Sequence, residues 1–134
     1  MKRKLLALAG SVALGAGLLV GASSPAMAAG CAGKHLDNWP ITGGYISVYY
    51  DSSTGRNCAL TYTNKPGTSQ HIGVWLSANG GGSTKQVGTF KYYAGPVSVY
   101  GKGKCINFSG QVGNGAIEGV VNAYCGSIAK RTTG

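Results

Sequence analysis

Beyond residue 30, no stretch of this chain repeats its apolar residues at a period of 3.6. It carries instead short runs rich in β-branched and aromatic residues, cut by clusters of Gly, Asn, Ser and Pro. A helix needs the 3.6-residue repeat to bury one face, whereas a half-buried strand needs only alternation, so the pattern points to β-structure. Strands are expected near residues 44–50, 58–64, 70–78, 85–93, 96–100, 104–109 and 116–125. The connections Asp51–Gly55, Lys65-Pro66-Gly67, Asn79–Gly82, Ala94-Gly95-Pro96 and Gly113-Asn114-Gly115 carry turn chemistry. In them Gly supplies positive φ, Pro presets φ, and Asn or Asp bonds its own backbone. About seven short strands at this spacing predict an all-β fold, a small antiparallel sandwich or barrel.

Alternation along those runs predicts a core of Ile46, Val48, Ile72, Val74, Leu76, Ile106 and Val121. Ile117 and Cys125 share the face given to Val121, and His71 and Trp75 fall on the face opposite Ile72 and Val74. The segment from Cys31 to Gly44 reads as irregular, and the C-terminal AKRTTG as fraying. The run Ile46–Tyr49, its glycine turn and Cys58 echo Val97–Tyr100, its glycine turn and Cys105. That echo is either a duplicated hairpin or chance likeness.

The first thirty residues have a different logic. Met1–Lys4 is basic, Leu5–Val20 is uncharged and mostly apolar, and Ala26-Met27-Ala28 is a small-residue cleavage signal. The apolar run is diluted by Gly, Ala and Ser, and a membrane span needs about 20 strongly apolar residues. Residues 1–28 are therefore read as a signal peptide and 29–134 as one secreted domain, with no transmembrane segment after cleavage. Lipidation at Cys31 is disfavoured, because Ala28 stands where a bulky residue would precede an acylated cysteine.

Cys31, Cys58, Cys105 and Cys125 all lie in the exported part, at spacings of 27, 47 and 20 that match no zinc knuckle. Two disulfides follow from parity and compartment, with three connectivities open. Sequence proximity favours Cys31–Cys58 with Cys105–Cys125.

Titratable groups are few. The exported part has two histidines, His35 and His71, three carboxylates, Asp37, Asp51 and Glu118, and no GxSxG elbow or HExxH helix. Catalysis is not expected, and no cofactor or metal is expected either. A metal site would need His35, Asp37 and His71 brought together by the fold.

The charge balance carries more. Nine Lys and Arg against three acids give the exported part a formal charge of 9 − 3 = +6. Lys102 and Lys104 flank Gly103 in an expected turn, with Lys91, Tyr92, Tyr93 and Tyr100 nearby in sequence. Lysine interleaved with aromatics suits an anionic polymer of the cell envelope or spore surface. The same pattern is compatible with single-stranded nucleic acid, which is not the expected partner. A positive charge also serves plain solubility. Trp39 and Trp75 are the two rings that could stack on sugars, although such rings more often pack into a core.

At Thr54–Thr61 (TGRNCALT), and again at Tyr93–Cys105 (YAGPVSVYGKGKC), the chain resembles the spore-associated protein A family, small secreted proteins of filamentous spore-forming bacteria. The likeness spans nearly the whole exported part, including the order of the cysteines. After Cys105 it departs, with Ile-Asn-Phe-Ser-Gly in place of a family sequence of Asp-Trp-Gly-Gly type. The resemblance implies export, association with the spore or aerial-cell surface, and no catalytic residue. The expectation is a secreted, non-catalytic surface protein. The alternative is an inhibitor of a hydrolase presenting residues 51–57 or 79–84.

Intact-mass measurement of the secreted protein should find residues 29–134 less four hydrogens. A mass matching an acylated Cys31 would overturn both the cleavage site and the free N-terminus.

Overall fold

All seven expected runs form strands, and two segments read as irregular or fraying form strands as well. The computed structural model describes residues 30–126 and 130–133, so the expected signal peptide lies outside the described residues. The strands are β1 (Lys34–Ile41), β2 (Gly44–Asp51), β3 (Arg56–Thr63), β4 (Gln70–Ala78), β5 (Ser83–Phe90), β6 (Tyr93–Tyr100), β7 (Ile106–Val112), β8 (Glu118–Ala123) and β9 (Lys130–Thr133). They build two antiparallel sheets: sheet 1 in the order β1-β2-β3-β6, and sheet 2 in the order β5-β4-β7-β8-β9. The sheets face each other across one apolar layer. Sheet 1 contributes Ile41, Ile46, Val48, Ala59, Ala94, Val97 and Val99. Sheet 2 contributes Ile72, Val74, Leu76, Ala78, Ile106, Phe108, Val112, Val120 and Ala123.

β1 corrects the irregular reading of its segment. KHLDNWPI shows no clean alternation for two reasons. It is an edge strand, where Pro40 removes no ladder bond that a second neighbour would need. Its register also shifts between His35 and Asp37, so Leu36 is an extra residue. Beyond that bulge Asp37, Trp39 and Ile41 share the face that meets sheet 2.

A second bulge corrects the core. The register of β7 on β8 shifts between Ile106 and Phe108, which pair with Ala123 and Val120. Asn122 takes a positive φ of 57° in the extra position. Val120 and Ala123 therefore both face inward, at 1% exposure each, whereas Val121 is only half-buried and Ile117 is 36% exposed. Simple alternation cannot represent a residue inserted mid-strand. The C-terminal segment is corrected too: Lys130–Thr133 extends sheet 2 by pairing with Glu118–Val121.

Two disulfides are present, Cys31–Cys58 and Cys105–Cys125. The first ties the N-terminal segment to β3, and the second joins the entry of β7 to the exit of β8. Each closes a loop worth roughly 3 to 4 kcal/mol by chain entropy. The internal echo is not a duplicated hairpin. Its first half is the β2–β3 hairpin within sheet 1, and its second half crosses from β6 in sheet 1 to β7 in sheet 2.

The sheets pack tightly at Gly110. A Cβ there would lie 2.6 Å from Thr61 Oγ1, 2.9 Å from Ile46 Cγ1 and 3.0 Å from Ile41 Cδ1. Thr61 Oγ1 is itself buried at this contact without a hydrogen-bond partner. An orphan hydroxyl costs about 1 to 3 kcal/mol, and Val has nearly the same shape without it. Thr61→Val should therefore raise stability by about 1 kcal/mol, read as a higher denaturation midpoint at unchanged slope. A lower midpoint would mean that the hydroxyl is satisfied in solution.

Candidate functional site

Strand register decides which of the expected surface residues meet. Lys34 lies opposite Tyr50, Arg56 lies opposite Tyr100, and the Lys102 N–H donates to the Gly55 carbonyl at 3.1 Å. Lys34, Arg56, Lys102 and Lys104 thus gather at one end of the sandwich, around the β2–β3 turn and the β6–β7 crossover. Gly55 makes that gathering feasible. Its φ is +72°, and a Cβ there would sit 2.7 Å from Cε1 of Tyr100 and 3.0 Å from Cβ of Lys102. Asp51 shares the end, and its carboxylate accepts from Ser53 N at 3.0 Å and Ser53 Oγ at 2.7 Å. Those two bonds hold its carboxyl below the usual value. Between the sheets at this end a cavity of about 180 Å³ is lined by Leu36, Tyr50, Asn57, Gly101, Lys104 and Tyr124, among others.

Lys91, Tyr92 and Tyr93 do not join this cluster. They sit at the other end of β6, roughly 23 Å from Tyr100 at 3.3 Å per residue. Tyr92 is 56% exposed in the β5–β6 turn. Tyr93 belongs to a ladder on the outer face of sheet 1. There the Tyr45 and Tyr62 rings stack at 5.1 Å, and Tyr93 tilts against Tyr62 at 5.5 Å. Burial, followed by neighbouring Tyr49, Tyr45 and Tyr93, raises the Tyr62 phenol. The single basic and aromatic surface read from proximity along the chain is therefore two separate places, because an extended strand carries its ends far apart.

The two tryptophans have opposite settings. Trp39 is half-buried between sheets: its ring packs 5.8 Å from Phe108, and Arg131 lies 5.8 Å from its centroid. Its indole N–H donates to Tyr124 Oη at 2.9 Å, and Tyr124 O–H donates onward to Asp37 Oδ2 at 3.0 Å. Trp39 is thus a clamp between sheets. Trp75 lies on the outer face of sheet 2, beside an open groove bordered by Ser77, Ser83, Lys85, Asn107 and Ser109.

The histidines are placed on opposite sides of the sandwich. His35 meets Tyr49 edge-on outside sheet 1 and shares a 2.9 Å bond with Asn38 Oδ1. His71, on β4 of sheet 2, shares a 3.1 Å bond with Gln111 Oε1. Both partners are amides, so neither histidine is paired with a carboxylate base. Among the described residues no group of three or more His, Cys, Asp or Glu is placed to hold a metal ion. No helix among them is long and apolar enough to cross a membrane.

The sequence assigns no functional role to Tyr124 or Ser77, nor to Asn107 and Ser109, which stand in it only as an N-glycosylation sequon within a strand. Ser77 could have been found, since it is two residues from Trp75 and shares its face. Asn107 and Ser109 alternate with Ile106 and Phe108 in the same way. Tyr124 gives no such signal, because its partners lie 85 and 87 residues away.

Fold and surfaces together define a small, disulfide-linked antiparallel β-sandwich with one basic end and one grooved face. The chain belongs to the spore-associated protein A family. It is 34% identical over 117 residues to Spore-associated protein A of Streptomyces coelicolor, an alignment covering 76% of this chain and 75% of that protein. No family model matches the chain. No solved structure matches it.

Burial above all raises the Tyr124 phenol to about 12, with the Asp37 carboxylate adding to the rise and the Trp39 donor opposing it. A folded pKa above the unfolded value stabilises the fold below the ordinary tyrosine range. That contribution is lost as pH climbs through about 12. Ultraviolet titration of phenolate should show this late step, and Tyr124→Phe should remove it. The same variant should cost about 1 kcal/mol near neutrality, a modest figure because the residue is 40% exposed. A titration unchanged in Tyr124→Phe would break the assignment.

Proposed function

We propose that this protein is exported and associates with the spore or aerial-cell surface. There it acts without catalysis, held by contact of its basic end with an anionic envelope polymer. The observation that carries this reading is the gathering of Lys34, Arg56, Lys102 and Lys104 at one end of the sandwich. Four cations on short loops and strand ends outnumber the nearby carboxylates, Asp51 and the Tyr124-bound Asp37, and make a compact positive surface rather than a diffuse one. Family membership supports the location: the relative named above is called spore-associated. Two disulfides suit an extracellular setting.

Retention of this kind weakens with salt, because exposed charges are screened beyond about 8 Å at physiological ionic strength. The test is the double variant Lys102→Gln with Lys104→Gln, eluted from washed walls across a salt series. Gln is chosen because the Lys104 stem lies against the Asn79–Gly82 turn, where Cδ would be 3.5 Å from a Cβ on Gly81. The variant should elute at lower salt, with stability changed by less than about 0.5 kcal/mol. Salt-independent retention, or elution identical to the wild type, would overturn the electrostatic reading. Tight binding to a soluble hydrolase without wall retention would favour the inhibitor alternative.

A further inference from the structure

The outer face of sheet 2 is built low around a single ring. Across β5, β4 and β7 the register aligns Ser83, Ser77 and Asn107 in one row, and Lys85, Trp75 and Ser109 in the next. A Cβ on Gly73 would lie 2.6 Å from Cη2 and 2.8 Å from Cζ3 of Trp75, so the indole lies down where any larger residue would displace it. Beside it opens a groove of about 470 Å³ bordered by both rows. Leu76 and Phe108 also border it, but at 1% exposure each they offer only main chain to its floor. Three strands at about 4.8 Å spacing make the groove roughly 10 Å across, wide enough for a sugar ring.

The polar groups beside the ring are arranged in advance. Asn107 Nδ2 donates to Ser77 Oγ at 3.1 Å and to Asn79 Oδ1 at 2.8 Å, while Asn107 Oδ1 accepts from Asn122 N at 3.0 Å. Ser77 Oγ is therefore an acceptor within the protein, and its own proton is left to donate outward. A pyranose suits such a surface, with C–H groups on one face for an aromatic ring and hydroxyls around its rim for Ser and Asn. The groove has one ionised side chain, Lys85, and no carboxylate among its lining residues. Charge complementarity therefore selects an acidic sugar over a neutral or basic one.

We propose that this groove is a binding subsite for a carboxylate-bearing glycan chain. One sugar ring lies against Trp75, its carboxylate at Lys85 and its rim hydroxyls at Ser77 and Ser109. This site is on a sheet face and is separate from the basic end, so either can fail without the other.

The probes are an oligomer of galacturonic acid and its fully methyl-esterified counterpart, titrated calorimetrically against the secreted protein and followed by tryptophan fluorescence. The wild type should bind the acid form more tightly than the ester. Trp75→Ala should weaken both by about tenfold or more, and Trp75→Phe should recover part of the loss. Lys85→Gln, an exposed change that leaves the fold intact, should erase the preference for the acid form while keeping ester binding. Three results would overturn the proposal: no binding of either oligomer at millimolar concentration, unchanged affinity in Trp75→Ala, or an unchanged acid preference in Lys85→Gln. If the Lys102→Gln and Lys104→Gln pair instead abolished oligomer binding while Trp75→Ala kept it, the acid would be held at the basic end. That outcome removes the groove and leaves the wall-retention reading standing.

Discussion

The close approach of β7 to β2 and β3 at Gly110 sets the distance at which the two sheets can share one core. With no side chain at that position, Ile46, Ile41 and Thr61 fill the space, and a single apolar layer serves both sheets. Two residues along β7, Phe108 is held at the right depth to meet Trp39 from the opposite sheet. Glu118 of β8, which pairs with Gly110 of β7, reaches the turn after β1, where its carboxylate accepts from Thr42 N at 3.0 Å. Hydrogen bonds from Thr42, with help from Arg131, hold that carboxyl below its usual value. The buried Thr61 hydroxyl is the cost of packing a β-branched polar residue at this close contact.

Sandwich edges are exposed to unwanted strand pairing, and here polar ties between sheets cover them. On one side β1 is bound to sheet 2 by the Trp39–Tyr124–Asp37 relay and by Arg131 Nη2, which donates to the Pro40 carbonyl at 2.6 Å. On the other side β5 leads directly into β6, and Gly95 N donates to Gln86 Oε1 at 2.6 Å. Trp39, Gln86 and Arg131 reach these ties from the edge strands β1, β5 and β9, so the sides of the sandwich are closed. Arg131 joins two of them, since it also lies over the Trp39 ring.

The surface that remains is divided by chemistry. The outer face of sheet 1 is taken up by tyrosines packed on one another, and Leu60, opposite Ser47 on that face, is fully buried. The outer face of sheet 2 is open around Trp75. Cations concentrate at the end where the β2–β3 turn meets the β6–β7 crossover. A small domain thus offers an aromatic groove on a face and a positive surface at an end, with its core protected from both.

Period-two alternation and turn residues were enough to indicate an all-β chain, the core positions of β2 and β4, and Ile106, because those strands pair regularly with one face buried. Parity and proximity likewise pointed to Cys31–Cys58 and Cys105–Cys125. The strand content of β1 and β9 was not legible: edge strands bury little, so their composition is not forced to alternate. Nor was the inward facing of Val120 in place of Val121, since β8 can be read in either of two registers one residue apart. The inward facing of Ala123 was not legible either, since the residue inserted after Val120 reverses every later side chain in a way composition does not record. The surfaces were legible only in part. Trp75 could be placed outside by its alternation with Val74 and Leu76. The grouping of Lys102 with Arg56 and Lys34, away from Lys91 and Tyr92, required the paired strands themselves. Sequence by itself determined which residues alternate and where the chain must turn, because those are properties of neighbours along the backbone. Tertiary structure alone decided which side chains meet, because residues as far apart as Trp39 and Tyr124 are brought together only by the register and approach of two sheets.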